Sequence, residues 1–174
     1  MIETDRLTVR PFRDDDLRRV EAILCDPNVM AFSDDGARDH DACREWLKRA
    51  MQSATNHGLP LMLAICLKSE GPLIGYISLM NDPYRVSSGE AELGFRLGHD
   101  YWGHGFATEA ARGMVAHATR LPNTKSVVAI VDPNNRQSVR VLQKIGMTYE
   151  REITFEGYDY PDHKFGMELA TAAH

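Results

Sequence analysis

The sequence predicts an α/β fold of the α+β type, a single-domain mixed, mostly antiparallel sheet of about seven strands flanked by about four helices. Three observations lead there. The periodic segments run in the order strand, helix, helix, three strands, helix, strand, helix, two strands. The three consecutive strands are joined by turns too short for a crossover, so they form an antiparallel meander. The strand-helix-strand unit after the meander makes its two strands parallel, because a crossover of that length returns the chain to its starting edge. With 174 residues, 43% of them hydrophobic and 26% charged, the chain is expected to form one globular domain over residues 1–174, without repeats or linkers.

The elements follow from local patterning. Leu7 and Val9 alternate with Thr8 and Arg10 until Pro11 ends the strand. Residues 14–26 begin with acids and carry Leu17, Val20, Ile23 and Leu24 at helical spacing. A turn-rich stretch over 27–39 leads to a second helix over 40–54, through Ala42, Trp46, Leu47 and Met51. The meander strands are 61–67, 72–80 and 89–98. A helix from about Gly105 to Arg120 places Phe106, Ala107, Ala110, Ala111, Met114, Val115 and Ala118 on one side. A strand at 125–131 ends at Asp132-Pro133, and a short helix presents Val139, Leu142 and Ile145 before Gly146 stops it. Two strands, 147–152 and 164–169, surround the loop FEGYDYPD.

Charge and cysteine usage narrow the function. A formal net charge of -5 disfavours nucleic acid as partner, since phosphate backbones require a basic face. Cys25, Cys43 and Cys66 are an odd number without C-x-x-C spacing, which indicates neither a disulfide framework nor a zinc site. The opening MIETDRLTVRPF has no signal-peptide core, and no run reaches the ~20 apolar residues of a membrane span. A cytoplasmic protein without membrane partner, monomeric or homodimeric, is expected.

The stretch YWGHGFATEA carries the first chemical signal. Gly103 and Gly105 stand where an irregular segment becomes a helix. The first N-H groups of a helix lack intrahelical partners and lie at the positive end of its dipole. Without Cβ atoms, a bulky anion such as a pyrophosphate can approach that main chain. His99 and His104 lack partners at metal-ligand spacing, so no metal is implied.

GFRLGHDYWGHGFATEA, VDPNNRQSVRVLQKIGM and the opening TDRLTVRPF together resemble the GNAT superfamily of acyl-CoA N-acyltransferases, most closely its Rim-type branch of ribosomal-protein N-terminal acetyltransferases. The resemblance covers nearly the whole chain. It implies acetyl-CoA as acyl donor and an amine acceptor, either a protein N-terminus or a small molecule. It assigns the coenzyme pyrophosphate to Trp102, Gly103, His104, Gly105, Phe106, Ala107 and Thr108, with Trp102 in place of the usual Gln or Arg. Phe95, Arg96 and Leu97 match the strand whose main chain pairs with the pantetheine arm. Asn135, Ser138 and Gly146 match the second coenzyme motif, while Asn134 with Gln137 has the pattern of a capping box.

Acetyl transfer to an amine needs a base for the ammonium proton, a donor for the leaving thiolate and an N-H for the thioester oxygen. Glu92, on the strand entering the phosphate loop, is the first candidate for the base. Glu90, Glu152 and Glu156 stand in reserve. Leu142 occupies the position where many members carry a catalytic tyrosine, so Ser138 becomes the candidate for the thiolate, with Tyr158 and Tyr160 as substitutes. Asp34, Asp35 and Asp39 are candidates for capping or for reading a cationic acceptor. Two other readings are a non-catalytic acyl-CoA binding module and a dinucleotide site. The second is disfavoured because G-H-G-F-A-T follows a meander rather than opening a βαβ unit.

Overall fold

The computed structural model describes residues 1–53 and 58–170. Eight strands form one sheet: β1 Ile2–Glu3, β2 Leu7–Arg10, β3 Leu61–Leu67, β4 Leu73–Met80, β5 Glu90–Leu97, β6 Ser126–Val131, β7 Thr148–Ile153 and β8 Asp162–Glu168. The helices are α1 Leu17–Leu24, α2 His40–Ser53, α3 Phe106–Ala118 and α4 Arg136–Lys144. Their spatial order in the sheet is β1-β2-β3-β4-β5-β6-β8-β7. Among the described strands only β5 and β6 run parallel, as the crossover through α3 requires. The fold class matches the expectation, with one strand more. The addition is β1, two residues that exist as a strand only by pairing with Val9 and Thr8. Residue 54, the last of the expected second helix, lies outside the described residues.

The first helix begins later than its acids suggest. Asp14–Asp16 form a 3-10 turn, and Asp16 is buried. Its carboxylate accepts from the Arg13 amide at 2.8 Å and from both terminal nitrogens of Arg10, at 2.7 and 2.8 Å. That bidentate hydrogen bond is the main cause that raises the Arg10 pKa above its ordinary value.

Residues opposite one another across the ladders share a face, and the two faces have different fates. On one, Leu7, Val9, Leu63, Ile65, Ile77, Leu79, Ala91, Leu93, Val127 and Ala129 pack against Ala110, Ala111, Met114 and Ala118 of α3 and Leu142 of α4. The alanines let α3 lie close to the sheet. On the other face, Val20, Ile23 and Leu24 of α1 and Cys43, Trp46, Leu47 and Ala50 of α2 join Ala64, Cys66 and Leu73 in a second core. Trp46 meets Phe12 edge-on at 5.3 Å and Tyr76 at 4.8 Å. The Cys25 and Cys43 sulfurs are 3.6 Å apart as free thiols. Burial, with the Cys25 contact next, pushes the Cys43 thiol up to about 12.

This second cover lies over β3 and β4. Farther along the same face, the register aligns polar residues instead: Glu90 and Glu92 of β5, and Lys164 and Asp162 of β8. Here the sheet also opens. β5 and β6 are in register from Glu90↔Ser126 to Glu92↔Val128, and no further. Beyond that point β5 stays with β4 to Leu97, and β6 stays with β8 to Val131. The two central strands therefore diverge, leaving the facing main-chain edge of residues 93–97 without a strand partner.

Gly75 keeps β4 against the outer half of β5. A Cβ there would collide with the Arg96 carbonyl and with Leu97. Gly75→Ala should therefore destabilise the fold by about 1–3 kcal/mol, the range for an overpacked core site, read from urea unfolding midpoints. An unchanged midpoint would show that the two strands can separate without cost.

Candidate active site

Past Leu97 the chain makes a 3-10 turn at His99–Tyr101 and then the glycine segment. Gly103 and Gly105 adopt φ values of +77° and +80°, in the left-handed region that side chains rarely occupy. Gly105 is the N-cap of α3 and has no side chain with which to cap it. The first amide of α3 to find a helical acceptor is that of Glu109, bonded to the Gly105 carbonyl at 3.1 Å. The Phe106, Ala107 and Thr108 amides thus remain available at the positive end of the helix dipole. A Cβ on Gly103 would meet nothing within 4 Å, so the space beside this backbone is open. Trp102 is turned to another use than its Gln or Arg counterpart: its indole N-H donates to the Leu97 carbonyl at 2.9 Å and pins the loop to β5.

These residues border a cleft of about 730 Å³ that reaches from the outer half of β5 to the N-termini of α3 and α4. Phe95, Arg96, Leu97, Trp102, Gly103, Gly105, Phe106, Ala107 and Thr108 all line it, as do Asn135 and Ser138. The His104 side chain does not. It is exposed, and the residue's carbonyl accepts from Arg6 at 3.0 Å. The chain has 25 acidic and 20 basic residues, yet Arg96, Arg136, Arg140 and Lys144 line the cleft and no carboxylate does so among the described residues. A cleft with that sign and a bare helix start fits a polyanionic ligand with a narrow arm.

The start of α4 corrects one local expectation. Asn135, not Asn134, is its N-cap, accepting from the Ser138 amide at 3.2 Å. Asn134 is held by Asp132, whose carboxylate accepts from its amide at 2.7 Å and from its side chain at 3.0 Å. The Asp132-Pro133 turn thus shifts the cap by one residue. The Ser138 hydroxyl is half-buried at the cleft and makes no hydrogen bond among the described residues. Leu142 points into the core instead, with 1% of its surface exposed.

The sheet face opposite α3 and α4 gathers carboxylates. Both Glu92 oxygens accept from Arg85, at 2.8 Å each. Arg85 also stacks over the Phe155 ring at 4.7 Å. Glu90 accepts from Lys164 at 2.7 Å and from the Ser87 amide at 2.8 Å. Burial alone would raise the Glu90 pKa, but those bonds outweigh it and hold the carboxyl below the usual range. Asp162, which no sequence motif singles out, is half-buried beside them and accepts no side-chain hydrogen bond among the described residues. Burial first, then the charge of Asp132, raises its pKa; Asp34 and Glu92 add to this while Arg85 opposes. Only the three-dimensional assembly of β5, β6, β8 and the loop after α1 reveals it.

The reserve residues lie around this face. Tyr158 lies near Asp34, whose carboxylate raises its pKa, and Tyr160 is 84% exposed in the same β7–β8 loop. Glu156 is exposed, and Glu152 faces His163 at 3.9 Å. Asp35 pairs with Arg38 at 2.7 Å, and Asp39 accepts from the Ala42 amide at the start of α2. Among the described residues no group of three His, Cys, Asp or Glu could hold a metal ion, and no helix is long and apolar enough to cross a membrane.

A mixed sheet that splays beside a bare helix start, with a cationic cleft on one side and carboxylates on the other, defines an acyl-CoA-dependent acyltransferase. More particularly, the chain belongs to the GNAT acetyltransferases. The family model described as acetyltransferase (GNAT) domain matches residues 6–148. The uncharacterised Bacillus subtilis protein YkkB is 30% identical over 152 residues, 86% of each chain. A GNAT-family acetyltransferase from Bacillus anthracis superposes with a TM-score of 0.84 at 23% identity, covering 97% of this chain and 98% of that one. RimL, a ribosomal L7/L12 alpha-N-protein acetyltransferase solved with coenzyme A, superposes at 0.80 with 15% identity and 97% of both chains covered.

Placing a β-branched residue at the left-handed Gly105 strains the loop by roughly 1–2 kcal/mol and sets its Cβ 3.5 Å from the Arg6 guanidinium, so the backbone that faces the cleft must shift. Gly105→Val should weaken coenzyme A binding about tenfold or more by calorimetry, with far-UV circular dichroism unchanged. Equal affinity in a folded variant would mean that the coenzyme does not approach this backbone.

Proposed function

We propose that the protein transfers the acetyl group of acetyl-CoA to a primary amine by direct attack, with no covalent acyl-enzyme. The observation that carries this reading is the gap between β5 and β6, which leaves the 93–97 edge of β5 open beside the cleft and next to the strand positions that carry Glu90 and Glu92. The glycine loop and the start of α3 would hold the pyrophosphate, and the free edge of residues 93–97 the pantetheine amides. The chemistry supplied by the coenzyme is an activated thioester. The amine nitrogen forms a bond to the acetyl carbon, the carbon-sulfur bond breaks, and the ammonium proton passes to a carboxylate. Ser138, whose hydroxyl is free at the cleft, would donate to the departing thiolate.

Among primary amines, a protein α-amine fits best. With a pKa near ~8 it is partly neutral at neutral pH, whereas a lysine at ~10.4 asks far more of a carboxylate base. The fold is shared with RimL, named for an alpha-N-protein activity, and also with a spermidine N-acetyltransferase from Vibrio cholerae, so the choice rests on the amine's pKa. The test is release of thiol from acetyl-CoA over a panel of N-terminal peptides and small amines. Binding of the coenzyme without turnover on any amine would leave only a binding module.

Two carboxylates compete for the proton. Glu92, on the strand beside the gap, is the first. One observation favours a second reading: both Glu92 oxygens are tied to Arg85, while Asp162 has no donor among the described residues and a raised pKa. The residue that serves as base should lose roughly 10²- to 10⁴-fold in kcat as its amide variant, Glu92→Gln or Asp162→Asn, and recover part of it above the acceptor's pKa. A loss uniform across pH would assign a positioning role. Ser138→Ala should lower kcat without changing coenzyme affinity; full activity would transfer its role to Tyr158, Tyr160 or water.

Asp162 also makes a stability prediction. A carboxyl whose folded pKa is raised favours the fold while protonated, and that contribution is lost as pH rises through the folded value. Asp162→Asn should therefore raise Tm at neutral pH, with the gain fading in acid. A Tm lowered at neutral pH would mean that the ionised carboxylate stabilises this face.

A further inference from the structure

Arg6 lies in the connection between β1 and β2, on the far side of the glycine loop from the cleft, where Thr4, Arg6, Gly105 and Glu109 border a second cavity of about 610 Å³. Its guanidinium makes two hydrogen bonds at once. Nε donates to Glu109 Oε2 at 2.7 Å, and Nη1 donates to the His104 carbonyl at 3.0 Å. The Arg6 amide and the Thr4 hydroxyl both donate to Glu109 Oε1, at 2.7 and 2.6 Å. The guanidinium further rests on the Phe106 ring, 4.6 Å from its centroid. Burial alone would raise the Glu109 pKa, but the Thr4 and Arg6 bonds outweigh it and keep the carboxyl below its ordinary value, so it is ionised at neutral pH.

The bond to His104 has a directional consequence. In a planar trans peptide the C=O and the following N-H point in opposite directions. Holding the His104 carbonyl toward Arg6 turns the Gly105 N-H away from Arg6, toward the cleft. Among the described residues no other hydrogen bond fixes this plane, because Gly105 is conformationally permissive and, as the N-cap, has no side chain. Glu109 meanwhile neutralises the Arg6 charge, so the guanidinium adds little attraction of its own for an anion. An exposed ion pair of this kind also adds little stability.

We propose that Arg6, braced by Glu109, is a positioning residue that sets the His104-Gly105 peptide plane for coenzyme pyrophosphate. The role rests on the acetyl-CoA reading above. It is tested by steady-state kinetics with two donors, acetyl-CoA and S-acetylpantetheine, which lacks the pyrophosphate. Arg6→Gln should raise KM for acetyl-CoA on the order of tenfold, the scale of one hydrogen bond to a charged group, with kcat at saturation little changed. The loss should be confined to acetyl-CoA and absent with S-acetylpantetheine. Arg6→Lys keeps the charge but not the fork and should remain impaired, while Glu109→Gln, which loosens the brace without touching the loop, should show a smaller rise of the same kind. Recovery of wild-type KM by Arg6→Lys would reduce the effect to charge, and an equal loss with both donors would reduce it to general loop damage; either overturns the proposal. If Arg6→Gln does not fold, wild-type KM in both Arg6→Lys and Glu109→Gln overturns it equally. Wild-type protein that fails to bind acetyl-CoA would overturn the acetyl-transfer reading itself.

Discussion

The divergence of β5 and β6 is the constraint on which the rest depends. A parallel pair held only at Glu90–Glu92 is satisfied by three registered positions, and each strand then follows its outer neighbour. The edge left over exposes backbone groups that must find partners. In a closed sheet these would bond across the ladder. Here they face a cleft, so ligand amides can complete what the strands leave open. The helix crossover that makes the pair parallel also delivers the N-terminus of α3 to the end of the same gap, so one topological step places both the open strand edge and the bare helix start.

Charge is partitioned across the opening. The chain is acidic as a whole, yet the cleft is lined along α4 by Arg136, Arg140 and Lys144, whereas Glu90, Glu92 and Asp162 lie on the face beyond the gap, the face to which Arg96 also turns, 2.9 Å from the Met30 sulfur. Each carboxylate is handled differently. Glu90 and Glu92 are held by Lys164 and Arg85, and Asp162 stands beside like charges. On the acetyl-transfer reading proposed above, a charged amine and a polyanionic thioester would approach from opposite sides, each toward groups of complementary sign.

Much of this was legible in the sequence because it is local. Alternation marked the meander, alanine spacing marked α3, and two glycines before it marked the bare helix start. Leu142 was already a departure from the tyrosine pattern, and the structure places its side chain in the core beneath α4. What could not be read is pairing over distance. The cap moved from Asn134 to Asn135 because Asp132 captured the former. Arg85 reaches Glu92 across a turn, Arg6 reaches Glu109 across most of the chain, and Asp162 acquires its environment from three other segments. Strand β1 likewise has no signal apart from the partner that creates it.

The two tryptophans occupy separate provinces. Trp46 is 8% exposed in the core between α2 and the sheet, against Phe12 and Tyr76. Trp102 stands in the cleft wall, its indole bonded to the end of β5 and its ring 4.7 Å from that of His99. Their fluorescence is accordingly divided between two events. Trp46 lies inside the helical layer, whereas Trp102 packs at its edge and also lines the cleft, so a ligand entering beside β5 would meet the Trp102 indole and not that of Trp46. The two optical signals would be separable by replacing either indole with phenylalanine.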